Sequence, residues 1–237
     1  SPVLPSGFGI KKKEKIKNWN SVNTLNIQNA ETVLHNAIKS NIFPGAQVAV
    51  IQNGNIIYSG GYGHHTYDIS SPSVDNKTIY DIASLTKVIA AVPVTMKLIS
   101  QKKLSLDHSV QQFYPQFTGN GKEEITIRHL LTHSSGLPGY YQFFLDDQIQ
   151  TKEDVLSYIL NVELNAAPGT HFEYSDLGFI LLTSIIEKVS RRTLDQLVQS
   201  WFLDPFEMKS TRYLPSADLK IKITPTEIDT LYRNRLI

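Results

Sequence analysis

The period of the hydrophobic positions changes along this chain. Ala30, Val33, Leu34, Ala37 and Ile38 recur at helical spacing and predict an amphipathic helix over residues 28–40. Two runs rich in β-branched residues follow, 46–52 and 55–59, on either side of Asn53-Gly54. That dipeptide between such runs predicts a tight hairpin. Residues 60–73 are polar and glycine-rich and read as a loop. From Ser84 onward the spacing becomes helical, with predicted helices at 84–100, from Thr126 to just before Ser134, and at 152–160, 176–189 and 194–202. Pro93 has no N–H to donate to the Ile89 carbonyl, so the first of these should kink. A lone hairpin is marginal in water. The chain stops on Arg235-Leu236-Ile237, so the expectation is that the domain continues past Ile237, or that a second chain supplies further strands.

Composition narrows the function classes. The hydrophobic fraction is 41% and the charged fraction 19%, an ordinary balance for a chain that buries a core. A net charge of +1 gives no general field for nucleic acid or an anionic membrane. The absence of cysteine excludes disulfides, thiolate zinc sites and cysteine nucleophiles. No stretch reaches the roughly 18–20 apolar residues of a spanning helix. Residues 1–24, with Lys11-Lys12-Lys13-Glu14-Lys15, read as a linker or arm, and residues 25–237 as the domain proper.

Candidate chemistry begins at Ser84-Leu85-Thr86-Lys87, at the start of an apolar helix. Positions three apart share a helix face, so the hydroxyl of Ser84 and the ammonium of Lys87 would meet. Serine needs a base within hydrogen-bond reach, and a lysine whose pKa is pushed down by burial and by the helix N-terminus can provide it. The Ser84 N–H at the same helix end can serve an oxyanion. A Ser-x-x-Lys spacing arises about once by chance in a chain this long, and Ser100-Gln101-Lys102-Lys103 repeats it at the polar end of the helix. The second candidate is Tyr174-Ser175-Asp176, at another loop-to-helix junction. Tyr174 can shuttle a proton if positive neighbours lower its pKa. Asp176 also fits a plain N-cap. Tyr232-Arg233-Asn234 has a similar form without an apolar helix behind it.

These segments resemble a known family. Asp81-Ile82-Ala83 before Ser84-Leu85-Thr86-Lys87, then Ile127-Arg-His-Leu-Leu-Thr-His-Ser-Ser-Gly-Leu-Pro138, then Pro168-Gly-Thr-x-Phe-x-Tyr-Ser-Asp-Leu-Gly178, resemble the serine β-lactamase-related family. It groups class C β-lactamases, D-alanyl-D-alanine carboxypeptidases and related esterases. Phe206-Glu-Met-Lys-Ser-Thr211 is similar to a further landmark. The resemblance implies an α+β fold of the β-lactamase/transpeptidase type, an antiparallel sheet flanked by helices plus a helical subdomain, with the C-terminal strands missing from this chain. The cleft between sheet and subdomain would hold the catalytic groups. It implies Ser84 as acylated nucleophile, Lys87 as its partner and Tyr174 as general acid/base. Asp176 stands where many members carry an asparagine that contacts substrate. A carboxylate there should pair with Lys87, raise its pKa and repel a substrate carboxylate. The third family motif, Lys/His-x-Gly on a late strand, has no match; Lys209-Ser210-Thr211 lacks the glycine.

The implied activity is acyl transfer through an acyl-enzyme, on a small-molecule or peptide amide or ester. It needs no cofactor and no metal, and the implied location is extracytoplasmic. The rival readings are a penicillin-binding sensor that stays acylated, and a pseudoenzyme domain of a larger protein. Among the seven histidines, His64 and His65 are adjacent and point apart on an extended segment. His129 and His133 have i, i+4 spacing but no glutamate between them and no third ligand, so hydrogen-bonding roles are expected for both.

Overall fold

The computed structural model describes residues 24–220, 222–226, 228–229 and 235–236; the N-terminal arm over 1–23 and the Tyr232-Arg233-Asn234 segment lie outside them. In chain order the regular elements are α1 (Thr24–Lys39), β1 (Gly45–Gln52), β2 (Asn55–Gly63), α2 (Val92–Ser100), α3 (Ile127–Leu131), α4 (Lys152–Asn161), α5 (Asp176–Ser190), α6 (Leu194–Val198), α7 (Ala217–Lys220), β3 (Ile228–Asp229) and β4 (Arg235–Leu236). The chain divides into two compact units, one formed by Ser1–Asp81 with Ser216–Ile237, the other by Ile82–Pro215. The α+β expectation holds, with antiparallel strand pairs in the first unit and helices dominating the second.

In the first unit, β1 and β2 pair antiparallel from Gly45↔Gly63 to Gln52↔Asn55. The hairpin turns where the sequence predicts, with Asn53 at φ 52° and Gly54 at φ 76°. Both values belong to the turn type whose twist matches the flanking strands. One expectation needs correction. Residues 60–63 are not loop but the end of β2. A Cβ at Gly61 would sit 2.4 Å from the Val74 carbonyl oxygen, so glycine marks a close backbone approach inside a strand. α1 packs on β2, where Glu31 accepts from the hydroxyls of Tyr58 at 2.8 Å and Tyr62 at 3.1 Å.

The second unit is built around α5. Leu177, Leu181 and Ile185, together with Leu182 and Ile186, are wholly buried, and α2, α3, α4 and α6 pack against this helix. A helix apolar on most of its circumference must be covered on most of it, which fixes its central place. Lys122 is buried as well. Its Nζ donates to the Leu160 carbonyl at 3.0 Å and lies 5.4 Å from the Phe117 ring centroid, so the cation closes the C-terminal end of α4.

The helix accommodates Pro93 in a definite way. Residues Lys87–Ala91 make a wide turn in which the Val92 N–H bonds to Lys87 O, five residues back, and α2 begins only at Val92. Pro93 therefore lies in the first turn of a new helix segment, where a missing N–H is harmless. Leu181 has no exposed surface, so Leu181→Ala should lower unfolding free energy by about 2–5 kcal/mol. Urea unfolding followed by circular dichroism measures this.

Candidate active site

All four sequence-predicted site residues lie in the second unit. Ser84 occupies the turn just before the helical stretch that starts at Leu85, and Leu85, Thr86 and Lys87 N–H groups bond back to the carbonyls of Ile82, Ala83 and Ser84. Ala83 has φ 44°, a left-handed conformation that costs a non-glycine residue about 1–3 kcal/mol. This sharp turn leaves Ser84 exposed at the positive end of the helix.

Lys87 Nζ donates to Ser84 Oγ at 3.0 Å and lies 2.6 Å from Asp176 Oδ1. The same ammonium stands 4.9 Å from the Tyr174 ring centroid, so Lys87 lies against the Tyr174 ring. The Lys87 side chain is 15% exposed and Tyr174 is 47% exposed, so the cation is sheltered while the phenol faces solvent. Burial alone would depress the Lys87 ammonium. The hydrogen bonds and charges of Asp176 and Tyr174 outweigh burial and hold it above lysine's ordinary value. This corrects the idea of a depressed, free-base lysine and agrees with the effect expected of an aspartate at 176. In the other direction, Lys87 first and Ser84 second draw the Tyr174 phenol below its usual value.

Asp176 is not the N-cap of α5. Ser175 is, its Oγ accepting from Gly178 N–H at 3.0 Å and donating to the Pro138 carbonyl at 2.7 Å. Asp176 is instead the first residue of the helix, its carboxylate freed for Lys87.

The run from His129 to Pro138, which sequence reasoning quoted without a chemical role, holds this junction. The His133 carbonyl accepts from Glu173 N–H at 2.9 Å, and His133 Nδ1 accepts from Ser175 N–H at 3.0 Å. The Gly139 carbonyl accepts from Asp176 N–H at 2.6 Å, and Gly139 N–H donates to Glu173 Oε1 at 2.8 Å. Gly136, at φ 78°, turns the run where a Cβ would stand 2.0 Å from the Ala166 carbonyl oxygen. His129 has a separate task, its Nδ1 accepting from Thr126 N–H in the capping box of α3. The two histidines thus spend their Nδ1 atoms on backbone donors. Among the described residues no group of three or more His, Asp or Glu side chains is placed to hold a metal ion. The second Ser-x-x-Lys also resolves as structure, since Ser100 Oγ donates back to Lys97 O at the end of α2.

Beside Ser84 and Lys87 opens a groove of about 480 Å³, whose lining includes Ala91, Leu156, Phe179, Ile180 and Leu194. It is predominantly apolar, with Asp176 near its reactive end. Among the described residues no helix is long and apolar enough to cross a membrane.

Comparison with known proteins agrees with this architecture. Protein flp of Staphylococcus aureus (strain MW2) is 31% identical over 193 residues, covering 78% of this chain but 38% of its own length. The octameric penicillin-binding protein homologue from Pyrococcus abyssi superposes with a TM-score of 0.72 at 28% identity, over 89% of this chain and 50% of its own. EstCE1, a hydrolase with promiscuous acyltransferase activity, gives 0.72 at 25% identity, over 89% and 58%. The chain spans about two fifths of the curated relative's length. The Beta-lactamase family model matches residues 30–226, and the chain belongs to that family.

Proposed function

We propose that the chain is the nucleophile-bearing part of a serine hydrolase that works through an acyl-enzyme. The observation that carries this reading is the Lys87 ammonium, 3.0 Å from Ser84 Oγ, 2.6 Å from Asp176 and 4.9 Å from the centroid of the Tyr174 ring. The hydrolase and penicillin-binding-protein relatives support it.

In this mechanism Tyr174, as phenolate, takes the Ser84 proton while Ser84 Oγ attacks the substrate carbonyl carbon. The tetrahedral oxyanion is met by the Ser84 N–H at the helix end. Collapse breaks the bond to the leaving amine or alcohol, which receives the proton from Tyr174. Water then attacks the acyl-enzyme and gives a proton to Tyr174. The acid product leaves, and Ser84 recovers its proton. Lys87, kept charged by Asp176, stabilises the phenolate rather than acting as the base.

The groove favours substrates whose acyl part is apolar, through Phe179, Ile180, Leu156 and Leu194, and Asp176 disfavours a carboxylate at the reactive end. Simple esters therefore fit better than penicillins or D-alanyl peptides. An extracytoplasmic location belongs to the same proposal. A sensor that acylates and stays acylated is the second reading, favoured by the charged Lys87–Asp176 pair, which leaves Tyr174 alone to activate water.

Intact mass after incubation with a fluorophosphonate and, separately, a fluorescent penicillin tests the nucleophile. We expect an adduct on Ser84 with the fluorophosphonate, lost in Ser84→Ala with the melting temperature nearly unchanged. Labelling that persists in Ser84→Ala overturns the assignment, and a penicillin adduct that never decays selects the sensor. The pH profile has a defined shape. As Tyr174 deprotonates, kcat/KM should rise with a midpoint below tyrosine's ordinary value of about 10, and it should fall as Lys87 deprotonates above its own ordinary value. Asp176 raises both groups, so Asp176→Asn should move both limbs toward acid and increase the rate of penicillin acylation relative to a neutral ester.

A further inference from the structure

His133 lies outside the proposed proton-transfer groups, yet its ring touches them. Its centroid is 4.5 Å from that of Tyr174 at a tilt of 32°, and 5.0 Å from that of Phe179 at 30°, with Phe172 edge-on at 5.9 Å. Its Nδ1 accepts the N–H of Ser175, the residue that follows Tyr174, and its carbonyl accepts the N–H of Glu173, the residue before it. One residue thus grips the backbone on both sides of Tyr174 and lies against the phenol ring itself. An acceptor Nδ1 means a neutral imidazole with its proton on Nε2.

We propose that neutral His133 is the positioning residue for Tyr174, aligning the phenol on Ser84 and Lys87, and that protonation of His133 releases this alignment. The inference rests on the reading of Tyr174 as the proton-transfer group. A proton on Nδ1 removes the acceptor for Ser175 N–H and puts a second cation close to Lys87. The charged groups facing His133 are Lys87, from the turn after Ser84, and Asp176, from the start of α5. On neighbouring positions Glu173 is occupied by Gly139 N–H and Asn165, Arg128 by Asp107, and His129 by Thr126 N–H. Burial first and Lys87 second hold the imidazole below histidine's ordinary value, outweighing Asp176, so the neutral form prevails at neutral pH.

His133 sits at φ 55°, a conformation that asparagine adopts more readily than most residues. His133→Asn therefore keeps the backbone turn and an acceptor oxygen while removing the ring and its titration. His133→Phe keeps a ring and removes the acceptor. The primary readout is the titration of Tyr174 followed by ultraviolet difference absorbance against Tyr174→Phe, which requires no turnover. In the wild type Tyr174 should titrate below its ordinary value. In folded His133→Phe it should move up toward that value, because misalignment loosens the bonds to Lys87 and Ser84. An unmoved titration in both variants overturns the proposal.

The second readout is the rate of Ser84 phosphonylation. In the wild type the slope of its logarithm against pH should steepen from one to two below the His133 ionisation, and in His133→Asn it should stay at one. A wild-type slope that stays at one through the His133 ionisation, followed by NMR in the same buffers, overturns the proposal without recourse to any variant. At neutral pH, His133→Phe should slow labelling on the order of 10- to 100-fold. If Tyr174→Phe labels as fast as the wild type, the proton-transfer reading itself fails. If Tyr174→Phe is slow while both His133 variants behave as the wild type, the positioning role alone fails.

Discussion

A sheltered ammonium must be paired, and the pairing of Lys87 is the constraint on which the rest of the site depends. Taking that charge out of water is costly unless opposite charge and hydrogen-bond acceptors replace the solvent. Asp176 supplies the charge, and Ser84 and Tyr174 supply oxygens. The four side chains come from two helix starts that are far apart in sequence, so satisfying one cation brings the candidate nucleophile and the candidate proton carrier to the same point. The price is that Lys87 is held protonated. Lys87 is thereby a fixed positive charge, and it draws the phenol beside it below its usual value.

Two local devices deliver those helix starts. The left-handed Ala83 turns the chain sharply before Ser84, and the wide turn over Lys87–Ala91 lets the helix carry Pro93 without a broken ladder. At the other junction, Ser175 takes over the capping of α5 and so releases Asp176 from that duty. The carboxylate at the first helical position then gains from the helix dipole as well as from Lys87. Behind both junctions stands α5, whose buried Leu181, Leu182, Ile185 and Ile186 leave it no freedom to shift without opening the core.

The segment from His133 to Gly139 shows how a run without obvious chemistry becomes necessary. His133 and Gly139 exchange backbone bonds with Glu173, Ser175 and Asp176, and Gly136 supplies the one backbone conformation that brings the run against Ala166. These bonds replace what regular secondary structure would supply, since the 168–175 segment has neither helix nor strand. At this junction the N–H groups of Gly169, Thr170, Glu173, Ser175 and Asp176 each have an acceptor.

By itself the sequence determined the helices with strong apolar periodicity and the Asn53-Gly54 hairpin, and it singled out Ser84, Lys87, Tyr174 and Asp176 as candidate residues for the chemistry. Each of these is encoded locally, in spacing or turn propensity, or in a short ordered motif. The effect of Asp176 on Lys87 was also legible, because it follows from charge alone. What the sequence did not reveal was the strand through Gly60 to Gly63, the cap at Ser175 and the task of His133. Glycine in a strand reads as loop until the neighbouring backbone, here the Val74 carbonyl, is in place. Ser175 and Asp176 are equally good caps by residue type, and only the Pro138 and Gly139 carbonyls decide between them. His133 lies 41 residues from Tyr174 in the chain, and no local pattern encodes a ring contact across that distance. Tertiary structure decided these points because each depends on a partner brought close by packing, not by sequence spacing.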